Sequence, residues 1–131
     1  MSEILGRFYA ALWGASEGYR SIWYGKKGSA PTQHKWFSDN KQAIEFINAL
    51  DKSKYNIYHA CGLFKKKLRQ QNHFEKTKAV WLDLDLAHSS FTSLKEVLLQ
   101  LKNLAGTPFA DNYWVIFTGH GFHVYWIFDE Y

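Results

Sequence analysis

The sequence has little of what marks secreted or membrane proteins. Cys61 is its one cysteine, so the chain cannot form an internal disulfide, and this favours a reducing compartment. The N-terminus lacks a basic start followed by a long apolar run, and no later stretch approaches the length of a membrane span. We therefore expect a soluble, intracellular protein, located in the cytoplasm and without a membrane partner.

Apolar and aromatic residues are abundant. Hydrophobic residues make up 47% and aromatic residues 18% of the 131 positions, which is typical of a folded chain. This length is sufficient for one domain with a core of its own. Internal repeats, low-complexity tracts and a linker between domains are all lacking, so we predict a single module over residues 1–131.

Positive charge is concentrated in one segment. The formal net charge is +4, and residues 65–78 alone carry six lysines and arginines against one glutamate. The segment shows no clear apolar period, so a mobile loop or a ragged hairpin is expected. A basic segment directly before an acidic strand suits a polyanion, although a solvated basic loop is the alternative.

The hydrophobic pattern predicts an α+β fold, with a mixed or antiparallel sheet and helices packed on one side of it. Helices are expected at 2–13 behind a Ser2 cap, at 39–50 behind Ser38 or Asp39, and at 94–104, where Ser93 and Glu96 form a capping box and Gly106 and Pro108 follow. Strands are expected at 19–24, 55–60, 79–86, 113–118 and 122–128, and a loop at 28–35.

The strand at 79–86 is apolar but contains two acids. Side chains alternate along a strand, so Trp81, Asp83 and Asp85 share a face, with the two carboxylates about 6.5–7 Å apart. A divalent cation such as Mg²⁺ would relieve their repulsion and would bring substrate phosphates with it. The pair indicates phosphoryl or nucleotidyl transfer. The alternative is a strand end at which both acids are solvated.

A second candidate site lies at the turn of the last hairpin. Gly119 and Gly121 let the backbone approach a ligand, and successive N–H groups in such a turn can bind an anion. His123 follows on the next strand and could hold a triphosphate. On that strand His123, Tyr125 and Ile127 are expected to share one face, and Phe122, Val124, Trp126 and Phe128 the other. The alternatives are a structural His123 with a satisfied hydrogen bond, and a His120 that is simply solvated at the tip of the turn.

Together these motifs resemble the archaeo-eukaryotic primase superfamily, in particular the primase-polymerases of phages and plasmids. Asp83-Leu84-Asp85 matches the family's first motif, an Asp-X-Asp at the end of an apolar strand. The run from Thr118 to Trp126, Thr-Gly-His-Gly-Phe-His-Val-Tyr-Trp, matches its second motif, with threonine in place of serine. Upstream, Ser21 to Tyr24, the helix at 39–50 and Asn56 to Tyr58 follow a similar order.

The resemblance implies a catalytic core with an RRM-like sheet and DNA primase or polymerase activity in replication. The chain would be a nucleotidyltransferase that adds NTP or dNTP on a single-stranded DNA template. Asp83 and Asp85 would hold Mg²⁺ or Mn²⁺ as catalytic residues, together with His123. The incoming nucleotide would be bound by Thr118, Gly119, His120, Gly121 and His123. Candidates for template contact are Lys65, Lys66, Lys67 and Arg69.

The family's third motif, a further acidic residue, lies beyond the second, and this sequence stops at Tyr131. Asp129 and Glu130 stand where the family has a loop, so neither is given that role. We therefore expect the N-terminal part of a catalytic domain, incomplete at its C-terminus and potentially inactive as this fragment. A second chain could supply the third carboxylate, and a helicase domain could belong to the system.

Other functions remain open. The main alternative is a module that binds single-stranded nucleic acid or nucleotides without catalysis. A rolling-circle nickase is disfavoured, because His120 and His123 are three residues apart and diverge on a strand. A nucleotide-sugar transferase would need a Gly-rich opening that is lacking. A zinc site from His59, Cys61, His120 and His123 has no paired-ligand spacing.

Overall fold

The computed structural model describes residues 2–85, 93–104, 113–117 and 121–131. Within these ranges the chain forms three α-helices and eight β-strands. The helices are α1 (Ser2–Trp13), α2 (Asn40–Ala49) and α3 (Leu94–Leu101). The strands are β1 (Arg20–Lys26), β2 (Gln33–Phe37), β3 (Tyr55–His59), β4 (Leu63–Phe64), β5 (Phe74–Lys76), β6 (Ala79–Asp85), β7 (Tyr113–Phe117) and β8 (Gly121–Ile127). The described strands pair antiparallel, and the predicted α+β class is confirmed.

The described strands form three sheets, where the sequence predicted one. Their orders are β2-β1-β3, β4-β5 and β6-β8-β7. The chain also divides into two compact units, the first ending at Lys78 but including Tyr131, and the second running from Ala79 to Glu130. The prediction that residues 1–131 form a single functional module stays a prediction.

In the first unit, β1 is the central strand and has an antiparallel neighbour on each side. Its residues Ile22 and Tyr24 lie on the face against which the helices pack. The Tyr24 ring meets Phe46 of α2 edge-on, with 5.3 Å between ring centroids. Tyr9 of α1 reaches the same face, where its hydroxyl lies 3.0 Å from Nδ1 of His59. Aromatic contacts thus join both helices to this sheet.

The loop predicted at 28–35 is wrong at its end, because strand β2 begins at Gln33. Residues Gln33 to Phe37 pair along β1, from Tyr24 opposite Gln33 to Arg20 opposite Phe37. The segment has polar residues at its start and no apolar alternation, so its sequence carries little strand signal. Pairing with a neighbour rich in β-forming residues makes it a strand, an effect of tertiary context on a weak local preference.

Helix α2 begins as the sequence predicts. Of the two candidate caps, Asp39 is the one used, and its carboxylate accepts a hydrogen bond of 2.8 Å from the backbone N–H of Gln42. The helix buries Ala43 and Ile47. Ser38 has another role, because its carbonyl oxygen accepts from the side chain of Arg20.

The basic segment forms the predicted ragged hairpin. Strands β4 and β5 pair antiparallel, and the register shifts between Leu63 and Phe64. Between them, Lys65 donates its backbone N–H to the carbonyl of His73 over 2.8 Å. The backbone at Gly62, directly before β4, lies close to β5. A Cβ at this position would be 2.5 Å from the carbonyl oxygen of Lys76. A larger residue there would separate the two strands.

Arg20 is a buried cation that the sequence did not single out. Only 2% of the residue is exposed, and its guanidinium donates five hydrogen bonds of 2.7–3.1 Å. The acceptors are Oδ1 of Asn40 and the carbonyl oxygens of Gly14, Gly18, Ser38 and Ser16. The side chain therefore ties the loop before β1 to the start of α2.

In the second unit, β8 lies between β6 and β7, and α3 packs on one face of this sheet. The buried core consists of Val97, Leu101, Phe122, Val124 and Trp126. The alternation predicted for β8 is confirmed for Phe122, Val124 and Trp126, whereas Phe128, expected on the same face, follows the end of the strand and is 40% exposed. At the start of α3 the Ser93 hydroxyl accepts from the N–H of Glu96 over 3.4 Å. The predicted stop at Gly106 and Pro108 lies outside the described residues.

The described helices are short relative to the thickness of a bilayer. The longest, α1, has 12 residues, whereas a membrane span takes about 20. Among the residues described, no helix is both long and apolar enough to cross a membrane.

Replacing Arg20 tests its structural role. We expect Arg20→Met to lower the free energy of unfolding by roughly 3 kcal/mol, because five hydrogen bonds to partly buried acceptors are lost at once. Urea unfolding of the full chain, followed by far-UV circular dichroism, measures the change. Arg7→Met is the matched control: Arg7 is exposed on α1, and its loss should cost less than about 0.5 kcal/mol. Equal stability of the two variants would contradict the role assigned to Arg20.

Candidate functional site

The pairing of β6 with β8 brings together two of the predicted site residues. Asp83 lies directly opposite His123 in the antiparallel register, and directly opposed residues share a face of the sheet. Nε2 of His123 is 3.3 Å from Oδ1 of Asp83. The carboxylate and the imidazole are thus neighbours in the fold, although they are forty positions apart in the sequence.

His123 has a second contact on the same strand. Its Nδ1 lies 3.2 Å from the hydroxyl oxygen of Tyr125, two residues on and therefore on the same face. If the Tyr125 hydroxyl donates to Nδ1, the proton of the neutral imidazole sits on Nε2 and faces Asp83. Tyr125 is only 2% exposed, so it provides a fixed partner for the ring. The sequence placed both residues on one face but gave Tyr125 no role.

The carboxylate of Asp83 remains accessible. Its side chain is 72% exposed and that of His123 is 34% exposed. Contact with Nε2 involves one carboxylate oxygen, so the group retains acceptor capacity for a ligand. Carboxylate oxygens are the donors that Mg²⁺ and Mn²⁺ prefer, and Asp83 fits such an ion in chemistry and in exposure.

Asp85 continues the same strand. Its backbone pairs with Gly121, and the alternation of β6 places it on the face that carries Asp83. The side chain of Asp85 lies outside what the structure describes. Its predicted part in metal binding stays a prediction.

Strand β6 borders its sheet. Among the described strands it pairs with β8 alone. Val80 and Leu82 are each 50% exposed and Trp81 is 44% exposed, so side chains on both faces of the strand meet solvent. Because the described strands leave one side of β6 unpaired, an additional strand or a ligand could approach there.

The predicted glycine turn is described only at its end. Thr118, Gly119 and His120 lie outside the described residues, so their predicted part in nucleotide binding stays a prediction. Gly121 was expected in the turn, but it is buried and is the first residue of β8, opposite Asp85. Gly121 thus stands at the end of the ladder between β6 and β8, and its predicted part in nucleotide binding stays a prediction.

The predicted nucleic-acid contacts all belong to the first unit. Lys65, Lys66, Lys67 and Arg69 are exposed. Lys65 lines a cleft of about 520 Å³ that also contains Glu17 and Glu75, so acids partly offset its charge. The ammonium of Lys67 lies 5.4 Å from the centroid of the Tyr19 ring, and the guanidinium carbon of Arg69 lies 4.6 Å from that of Trp23. Two of the four cations therefore contact aromatic rings.

A metal site made of three or more side chains is not assembled within the described residues, where no three His, Cys, Asp or Glu groups converge. His59, a member of the alternative zinc set, contacts the hydroxyl of Tyr9. The expectation that a further carboxylate comes from elsewhere stays a prediction.

The chain was compared with family models, curated proteins and solved structures, and none of the three comparisons found a match.

The contact between Asp83 and His123 should contribute little to stability. The pair is largely solvated, so we expect Asp83→Asn to change the free energy of unfolding by less than about 1 kcal/mol. Urea unfolding of the full chain measures this, with Glu45→Gln as the control, since Glu45 forms an exposed ion pair with Lys41. A loss above about 2 kcal/mol for Asp83→Asn alone would mean that the pair serves the fold.

Proposed function

We propose that the chain is a nucleotidyltransferase module of the primase-polymerase type. It would transfer a nucleotide from NTP or dNTP to a growing strand on a single-stranded DNA template. Its catalytic residues would be Asp83, Asp85 and His123, with Mg²⁺ or Mn²⁺ as the cofactor. The resemblance to the archaeo-eukaryotic primases and their RRM-like core belongs to this proposal.

The observation that carries the proposal is the juxtaposition of Asp83 and His123. The two motifs that suggested the family lie far apart in the sequence, and each by itself is short and weakly specific. Asp83 of the first motif and His123 of the second lie opposite one another on adjacent strands, with 3.3 Å between Oδ1 and Nε2. A shared site for metal and nucleotide requires such a meeting.

Each residue has a distinct part in the proposed reaction. Asp83 and Asp85 would supply the oxygen ligands, and the bound ion would neutralise charge on the triphosphate and align the attacking 3′-hydroxyl. His123 would bind phosphate oxygens beside the carboxylate, held in place through Tyr125. Thr118, Gly119, His120 and Gly121 would contribute further contacts to the phosphates.

The exposure of Asp83 supports the proposal of a third carboxylate from outside the two motifs. Its side chain is 72% exposed, and among the described strands β6 pairs with β8 alone, so a strand from a further part of the protein, or from a second chain, could bring an acid to the metal. A helicase domain or partner would fit the same replicative role.

The alternative function is binding of single-stranded nucleic acid without catalysis. It is favoured by one observation in the first unit, where Lys67 and Arg69 lie over the rings of Tyr19 and Trp23. Cations beside aromatic rings suit a strand with unpaired bases. The experiment below separates the two functions.

Nucleotide incorporation tests the proposal. The full chain is incubated with single-stranded DNA, labelled NTPs or dNTPs, and Mg²⁺ or Mn²⁺. We expect a labelled product that chelation by EDTA abolishes and added metal restores. Asp83→Asn, Asp85→Asn and His123→Ala should each lower the rate by roughly 100-fold or more, the scale of effect seen when one group that stabilises the transition state is lost.

The matched control is the double variant Glu3→Gln and Glu45→Gln, which removes two exposed carboxylates from helices of the first unit and should keep the wild-type rate. If no product forms but nucleotide binding requires Asp83 and His123, the chain is an incomplete catalytic part. Product formation that survives the loss of both Asp83 and Asp85 would refute the proposed site.

A further inference from the structure

The sheet face that carries Asp83 and His123 also carries an exposed tryptophan. Side chains alternate along β6, so Trp81 lies on the face of Asp83, two positions before it. In the antiparallel register Trp81 stands opposite Tyr125, in the row next to that of Asp83 and His123. The residue is 44% exposed. A large apolar side chain thus borders the candidate metal site on the same face of the second unit.

The ring of Trp81 is available to a ligand. Among the described residues, no aromatic ring stacks on it and no lysine or arginine lies over it. Its neighbours on the same face of β6 are Ala79 and Asp83, whose short side chains cannot cover an indole. Trp23 and Trp36 of the first unit differ, because other rings pack against each of them. A flat group can therefore stack on Trp81.

The rows of this face follow a fixed order along the strands. From the end with the glycine turn they are Asp85 with Gly121, Asp83 with His123, and Trp81 with Tyr125. The proposed function places the triphosphate at the end with Gly121 and the metal at Asp83. With the phosphates at that end, the sugar and the base of the nucleotide would lie on the other side of the metal, towards Trp81.

The spacing along β6 suits such a ligand. Residues two positions apart on a strand are separated by about 6.5–7 Å, comparable with the span of the sugar that joins base to phosphate. The indole offers a flat apolar surface, and a base of any kind can stack on it, because every base has a π-face. Trp81 therefore complements Asp83 and His123, whose polar groups suit the metal and the phosphates.

We propose that Trp81 is the residue on which the base of the incoming nucleotide stacks. One face of the second unit would then bind a nucleoside triphosphate by three contacts: the metal at Asp83, phosphate at His123 and the base at Trp81. The inference rests on the proposed function, which assigns residues to the metal and the phosphates but none to the base. Because stacking tolerates every base, Trp81 strengthens binding of any nucleotide and leaves the choice among them to the template.

Binding of two ligands to the full chain tests the inference. One ligand is ATP, and the other is its abasic analogue, a ribose 5′-triphosphate with hydrogen in place of adenine. Titration calorimetry with Mg²⁺ present and no DNA measures both affinities. We expect ATP to bind about 5- to 100-fold more tightly than the analogue, because only ATP has a base to stack.

Variants of Trp81 assign this difference to its ring. Trp81→Leu should weaken binding of ATP by about 5- to 100-fold and leave binding of the analogue unchanged. Trp81→Phe retains a ring and should keep most of the difference between the two ligands. Circular dichroism establishes that each variant is folded.

The matched control is Phe117→Leu, which should bind both ligands as the wild type does. Phe117 is an aromatic residue of the same sheet and is 64% exposed. It lies opposite Phe122, and therefore on the face of the core that α3 covers, away from Asp83.

Two results would overturn the inference and leave the proposed function standing. They are equal affinity of the wild type for ATP and the analogue when both bind with Mg²⁺, and wild-type affinity for ATP in folded Trp81→Leu. The first comparison needs no variant, so it decides the matter even if Trp81→Leu does not fold. If neither ligand binds with Mg²⁺, or if Asp83→Asn binds both as the wild type does, the proposed site fails and the inference fails with it.

Discussion

The antiparallel register between β6 and β8 is the constraint on which the candidate site depends. Seven residue pairs, from Ala79 opposite Ile127 to Asp85 opposite Gly121, fix which side chains meet. A shift of one residue would turn Asp83 towards the core that α3 covers. Leu84 of β6, which packs against that core, opposes such a shift, because it would turn outward while the Asp83 carboxylate was buried in its place. The packing that stabilises the unit thus also holds the carboxylate beside His123.

The charged side chains of Arg20 and Asp83 differ in how far they are buried. Arg20 is 2% exposed and satisfies five hydrogen bonds, so its charge serves the fold. Asp83 is 72% exposed, and among the described residues its carboxylate contacts His123. A buried ion requires partners on every side, whereas an exposed carboxylate keeps lone pairs for a ligand. Exposure therefore favours Asp83, rather than Arg20, as a binding group.

Sequence patterns predicted those elements whose signals were local. Asp39 capping α2, the Ser93 start of α3 and the alternation of β8 were all confirmed. Strand β2 was missed because its residues carry little strand preference, and pairing with β1 makes it a strand. The single predicted sheet was wrong, because alternation does not say which strands pair. Tyr125 as the partner of His123, and Arg20 with its acceptors, depend on distant or backbone groups that no short motif encodes.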